Sequence, residues 1–123
     1  MSGTVLVVDD EPGIREVLCR ALVKAGYGTR QAAEPVEASR IFLEEEQIDA
    51  VILDLRMPEL SGFNLLEWLR SEPNERAQTV PVFVLTGHAV TDAERETLRR
   101  QHAEVFFKPQ GMDEILKALE RVR

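Results

Sequence analysis

Four short runs of apolar residues punctuate the chain: "VLVV" from Val5, "AVIL" from Ala50, "VPVFVL" from Val80 and "VFF" from Val105. None alternates with polar residues, which is the pattern of strands covered on both faces, as in a parallel sheet. The segments between them carry apolar residues at helical spacing. Ile14, Val17, Leu18, Ala21, Leu22 and Ala25 predict a first helix, with Pro12 in its first turn and Gly26 as its stop. Pro35 opens a second with Ala38, Ile41 and Phe42 on one face, and Ser61 caps a third carrying Leu65, Leu66 and Leu69. "TDAE" from Thr91 has capping-box form, and a last helix carries Met112, Ile115, Leu116, Leu119 and Val122. By alternation, "GYGTRQAA" between the first two helices supplies the remaining strand. The order is β-α repeated five times, which predicts an α/β, doubly wound domain: parallel strands, right-handed crossovers and helices on both faces. In such sheets ligands bind beyond the carboxyl ends of the strands, where strand order reverses.

Composition narrows the classes. The 123 residues fit one domain, spanning 1–123, and 44% hydrophobic with 30% charged residues is ordinary for a folded soluble chain. A net charge of −7 speaks against direct binding of nucleic acid, which needs clustered Lys and Arg. One cysteine, Cys19, makes neither an internal disulfide nor a thiolate metal site, so a reducing compartment is expected. No apolar run approaches the roughly 18 residues of a membrane span and no secretory leader pattern opens the chain, so a cytoplasmic protein without membrane insertion is expected.

The residues ending the apolar runs carry the candidate chemistry. Asp9 and Asp10 follow the first run, Asp54 follows "AVIL", Thr86 follows the fourth and Lys108 the fifth. Taken singly, an Asp there caps the next helix, a Thr makes a turn and a Lys is a solvated charge. Together they fall on one edge of the sheet. Three crowded carboxylates repel one another, by about 4 kcal/mol for a pair about 4 Å apart at an effective dielectric of about 20, so a cation belongs among them. Oxygen-only ligands suit a hard cation, Mg²⁺ or Mn²⁺, which leaves positions for water and phosphate oxygens. Lys108 adds a second positive charge and Thr86 a hydroxyl donor, so a carboxylate can act as a nucleophile on phosphorus. Asp54, alone on its strand, is the candidate nucleophile.

The ordered set "VLVVDDEPGIREVL", "VILDLRMPELSGFNLL", "VFVLTGHA" and "FFKP" resembles the receiver domain of two-component response regulators over essentially the whole chain. The resemblance implies a flavodoxin-like (βα)5 fold with strand order 2-1-3-4-5 and transfer of a phosphoryl group to Asp54 from a histidine kinase or histidine phosphotransfer protein. It implies that Asp9, Asp10, Asp54 and the backbone carbonyl of Arg56 hold the metal, that Thr86 binds the phosphoryl group and reports its arrival, and that Lys108 pairs with it. It further implies a cis peptide before Pro109, and a signalling domain rather than an enzyme, acting on an output domain or downstream protein.

The sequence departs from the family pattern in places. Val105 stands where a Tyr or Phe commonly swings inward, Gln110 replaces a common Phe, and "QHA" replaces Gly-Ala before the last strand. Phe106 and Phe107 are expected to face opposite sides of their strand, both in the core. Arg56 and His88 occupy positions that tune phosphoryl lifetime in the family, with an exposed loop histidine the plainer reading of His88. Cys19 and Val23, off the first helix's stripe, offer either a small kinase contact or shielded packing; Trp68 is rim packing or a partner contact. The fourth helix has few apolar anchors, chiefly Val90, Ala93 and Leu98, and is expected to shift with Thr86 when Asp54 is modified. Two rivals stand beside this reading. A haloacid dehalogenase-like phosphohydrolase would need an Asp two residues after its nucleophile, where Arg56 stands. A receiver that binds protein without phosphorylation would have no need of all five strand-end residues.

Overall fold

A computed structural model describes residues 3–56 and 61–122. Among them lie five strands, β1 (Thr4–Val8), β2 (Gly28–Ala32), β3 (Ile48–Leu53), β4 (Val82–Thr86) and β5 (Ala103–Phe107), and six helices, α1 (Pro12–Lys24), α2 (Pro35–Glu44), α3 (Gly62–Ser71), α4 (Glu75–Thr79), α5 (Asp92–Arg100) and α6 (Gly111–Arg121). All paired strands are parallel, in the order β2-β1-β3-β4-β5. The chain moves outward from β1 to β2 and then returns to the other side of β1 as β3. The order therefore reverses between β1 and β3, at whose carboxyl ends Asp9 and Asp54 stand.

Strand alternation divides the core into two layers. Val5, Val7, Ala50, Ile52, Phe83, Leu85 and Phe106 face α1 and α6, packing on Leu18, Leu22, Ile115 and Leu119. Leu6, Val8, Val51, Leu53, Val82 and Val84 face α2, α3 and α5, packing on Ile41, Phe42, Leu66, Leu69 and Leu98. Both faces of each central strand are thus buried, which is why their sequences show no polar alternation. The helix ends follow local chemistry. Pro12 opens α1, and Gly26, at φ 100, turns the chain after it so that Tyr27 N–H reaches the Leu22 carbonyl at 2.9 Å. Ser61 N–H donates to Asn64 Oδ1 at 2.9 Å at the start of α3, and the capping box expected from "TDAE" closes between Thr91 and Glu94.

Several expectations change. In α1 Val17 is 51% exposed and Ala25 is exposed, whereas Cys19 is buried against the sheet. The row that docks is Ile14, Leu18 and Leu22 with Cys19 beside it, because residues four apart align along one side of a helix while Val17 sits about 100° around from Leu18. Cys19 is therefore a core residue, not a contact for a partner. In α6 Val122 is exposed and Ala118 takes its place in the core. Phe106 and Phe107 do face opposite sides, but only Phe106 is buried. Phe107, at the end of an edge strand covered by the short α5, remains 39% exposed. Helix α4, five residues long, interrupts the expected five-fold β-α alternation before β4. It is held by its N-cap and by tertiary contacts: the Asn74 side chain accepts from Arg76 N–H, while Arg76 reaches the Phe42 carbonyl at 3.0 Å and lies over its ring, and Arg70 donates to the carbonyls of Ala77 and Gln101.

Candidate functional site

The ladder delivers its strand-end residues to one place. Asp54 N–H donates to the Val8 carbonyl at 3.1 Å and Asp9 N–H to the Ala32 carbonyl at 3.2 Å, so each carboxylate starts where its strand's pairing ends. Lys108 N–H donates to the Thr86 carbonyl at 2.9 Å, which carries the β4–β5 pairing to the last pair of site residues. The Lys108-Pro109 peptide is cis, as the resemblance implied. Asp9, Asp54 and Thr86 are the three buried polar residues among those described.

Lys108 Nζ lies 3.3 Å from Asp9 Oδ2 and 3.3 Å from Asp54 Oδ2, bridging the two central strands' carboxylates. Asp54 Oδ1 accepts Arg56 N–H at 3.1 Å, and Asp9 Oδ1 accepts Glu11 N–H at 2.9 Å. Each buried carboxylate is thereby oriented by a backbone amide two residues on and by the shared ammonium. Arg15, on the first turn of α1, donates to the Asp9 carbonyl at 2.6 Å and fixes the end of β1.

One lysine does not balance the charge here. Carboxylate oxygens of Asp9, Asp10, Glu11 and Asp54 lie within 4.8 Å of one another. At an effective dielectric of about 20, each repulsion across 4.8 Å is about 3.5 kcal/mol and each Lys108 attraction across 3.3 Å about 5 kcal/mol, before solvent screens the outer pair. Four carboxylates make more repulsive pairs than Lys108 makes attractive ones. The titration directions agree. Burial raises the Asp9 carboxyl above its ordinary value, and Asp54 raises it further, against the opposing pull of Glu11 N–H and Lys108. Burial works against the Lys108 charge, but Asp54 and Asp9 outweigh it and hold its pKa above the usual lysine range. A cluster of oxygen donors with surplus negative charge is a donor set that fits a hard divalent cation.

The remaining sequence candidates lie around this centre. Asp10 is half-buried in the cluster, and Thr86 is wholly buried, its Oγ1 accepting His88 N–H at 3.2 Å. His88 is an exposed loop residue. Val105 and Val90 are each half-buried against the layer under α5, and Trp68 packs at the margin of the same layer. The Arg56 side chain turns outward, to Glu94 and the Ala89 carbonyl. Reading the strand ends missed Glu11, though it continues the "DDE" run, as well as Arg15 and Glu94.

A family model described as the response regulator receiver domain matches residues 5–120. This chain is a response-regulator receiver domain. It is 35% identical over 119 residues to the DNA-binding transcriptional regulator NtrC of Proteus hauseri, covering 97% of this chain and 24% of that one. It is 31% identical to sporulation initiation phosphotransferase F of Bacillus subtilis, covering 98% and 94% of the two chains. The receiver superposes on the Vibrio cholerae chemotaxis protein CheY4 with a TM-score of 0.87 at 27% identity over the full length of both. It spans about a quarter of the length of NtrC-type relatives and nearly all of the sporulation phosphotransferase. The receiver has the flavodoxin-like fold of two-component signalling domains, and none of its described helices is long and apolar enough to cross a membrane.

Proposed function

We propose that the receiver, acting as one unit over its 123 residues, accepts a phosphoryl group on Asp54 from a phosphohistidine of a histidine kinase or histidine phosphotransfer protein. The observation that supports this most is the placement of the Asp54 carboxylate at the topological switch point, 3.3 Å from Lys108 Nζ and within the oxygen cluster of Asp9, Asp10 and Glu11. An Asp54 oxygen attacks phosphorus, the phosphorus–nitrogen bond of the donor breaks, and the departing imidazole nitrogen takes up a proton. Water later attacks the same phosphorus, breaking its bond to Asp54 and returning a carboxylate and inorganic phosphate. Lys108 offsets charge on the phosphoryl oxygens, and the Thr86 hydroxyl is a donor beside it. The oxygens of Asp9, Asp10 and Asp54 and the Arg56 carbonyl would hold Mg²⁺ or Mn²⁺, which supplies charge neutralisation at the transferring group.

The receiver promotes only the phosphorylation and dephosphorylation of its own carboxylate, so its role is signalling. Val17 and Val23, 51% and 59% exposed among Glu16, Arg20 and Lys24 on α1, form the surface offered to the phosphodonor. A separate output domain or downstream protein reads the result; a net charge of −7 leaves any contact with nucleic acid to that partner, and the setting is the cytoplasm. Incubation with acetyl phosphate and Mg²⁺ followed by intact mass tests the reading. One added phosphoryl mass is expected on the wild type and none on Asp54→Asn. Undiminished labelling of Asp54→Asn would refute Asp54 as acceptor, and no labelling of the wild type would favour a receiver that works by protein binding alone.

A further inference from the structure

Arg56 stands immediately beyond the acidic site, yet its guanidinium reaches a helix 38 residues away. Its Nη1 donates to Glu94 Oε2 at 3.0 Å and its Nη2 to Glu94 Oε1 at 3.1 Å, a two-pronged fork, while Nη2 also donates to the Ala89 carbonyl at 3.3 Å. Glu94 is not an isolated surface acid. Its Oε1 also accepts Thr91 N–H at 3.0 Å, closing the capping box that starts α5. One side chain therefore ties the loop after Thr86 and the first turn of α5 to the end of β3. At its other end the same residue's N–H holds Asp54 Oδ1 at 3.1 Å.

The anchorage of α5 gives this strut leverage. Leu98 is the helix's one buried side chain, with the neighbouring Val90 half-buried, so little apolar burial competes with polar contacts in fixing its position. The fork is only partly shielded, the side chains being 38% and 24% exposed, so it is open to exchange of partners. A phosphoryl group on Asp54 would replace the single charge of its carboxylate with roughly −1.5 to −2 beside Arg56, sharpening the competition with the single charge of Glu94 for the same guanidinium.

We propose that the Arg56–Glu94 pair is a latch that holds the 87–91 loop and α5 in their unphosphorylated position, and that a phosphoryl group on Asp54 releases it by drawing Arg56 away from Glu94. The latch rests on the reading of Asp54 as phosphoacceptor. It gives this receiver a polar route out of a site whose β5 position, Val105, has no aromatic ring to move.

Amide exchange across residues 87–101, with intact mass measured in the same samples, tests it. Glu94→Gln keeps the chain length and the oxygen that accepts Thr91 N–H, so it removes the ion pair while leaving the cap. In unmodified protein, Glu94→Gln and Arg56→Met should each speed exchange in this segment roughly two- to fivefold, as loss of one exposed pair allows, with the double variant no faster than either. Acetyl phosphate with Mg²⁺ should bring the wild type to the level of Glu94→Gln and leave Glu94→Gln little changed. Unaltered exchange in both single variants, or additive effects in the double, overturns the latch. A phosphoryl mass on the wild type without faster exchange overturns the release step alone. Absence of that mass overturns the phosphoacceptor reading and the release with it, while the comparison of unmodified variants still decides whether the pair restrains α5.

Discussion

Two glycines in helix first turns, Gly13 of α1 and Gly62 of α3, should respond to alanine with opposite signs. Alanine gains up to about 1 kcal/mol over glycine within a helix, less at its ends, partly through the reduced freedom of the unfolded chain. At Gly13 nothing lies within 4 Å of the added methyl, so the gain should survive. At Gly62 the methyl would meet the Asp54 carbonyl oxygen at 2.4 Å, Leu53 Cδ1 at 2.5 Å and Leu55 Cα at 3.0 Å. Two of these atoms are backbone of the segment carrying Asp54, and Gly62 N–H is itself tied to the Leu55 carbonyl at 3.0 Å, so the neighbours cannot swing aside. Overpacking of this kind costs about 1–3 kcal/mol, which exceeds the helical gain and leaves a net loss of about 1–2 kcal/mol. Urea unfolding at neutral pH measures both. With a slope of about 2 kcal/mol per molar, Gly62→Ala should lower the midpoint by about 0.5–1 M and Gly13→Ala should raise it by about 0.1–0.4 M. A Gly62→Ala midpoint at or above the wild type, or a fall in Gly13→Ala as large as in Gly62→Ala, would refute the close approach of α3 to the end of β3.

His102 holds a left-handed backbone, φ 56, where Gly carries no steric penalty, so His102→Gly should raise the urea midpoint by the equivalent of up to about 1 kcal/mol. Burial raises the Asp9 carboxyl above 3.8, so its folded form favours the proton. The stability contributed by this group is complete below the unfolded value and is lost as pH rises through the folded one; Asp9→Asn should therefore be more stable than the wild type at pH 7, with the advantage shrinking towards pH 4, as paired urea titrations would show. Arg56 hydrogen bonds hold the Glu94 carboxyl below its ordinary 4.5, so that contribution is present above 4.5 and is lost as pH falls through the folded value. In Arg56→Met the Glu94 side-chain carbon signal should titrate closer to 4.5, and an unmoved titration would mean that the fork is not populated in solution.

The strand-end residues could be read from the sequence because their placement is local. Each directly follows an apolar run, and parallel pairing carries all the carboxyl ends to one edge, so Asp9, Asp54, Thr86 and Lys108 needed no knowledge of distant contacts to be brought together. What the sequence left out depends on surroundings. The stripe of α1 contained both Val17 and Leu18, and only the position of the sheet decides that Leu18 and Cys19 are buried while Val17 is not. Helix α4 is too short to show periodicity and is stabilised by contacts with other elements, Arg70 of α3 to the Ala77 carbonyl and its own Arg76 to the Phe42 carbonyl. Phe107 looked like core because its strand did, yet it lies where cover from α5 runs out. Arg56 and Glu94 meet only once β3 and α5 are in place, and no spacing rule joins residues 38 apart.

The central claim is that Asp54, among all the carboxylates of the cluster, carries the phosphoryl group. An aspartyl phosphate is an acyl phosphate, which borohydride reduces to the alcohol, leaving homoserine at the modified position. After treatment with acetyl phosphate and Mg²⁺, borohydride reduction and trypsin digestion, tandem mass spectrometry of the peptide from Ile41 to Arg56 should place homoserine at residue 54 and leave Asp49 intact. Homoserine at Asp9 or Asp10, or at no aspartate while the intact protein carries the phosphoryl mass, would contradict the account.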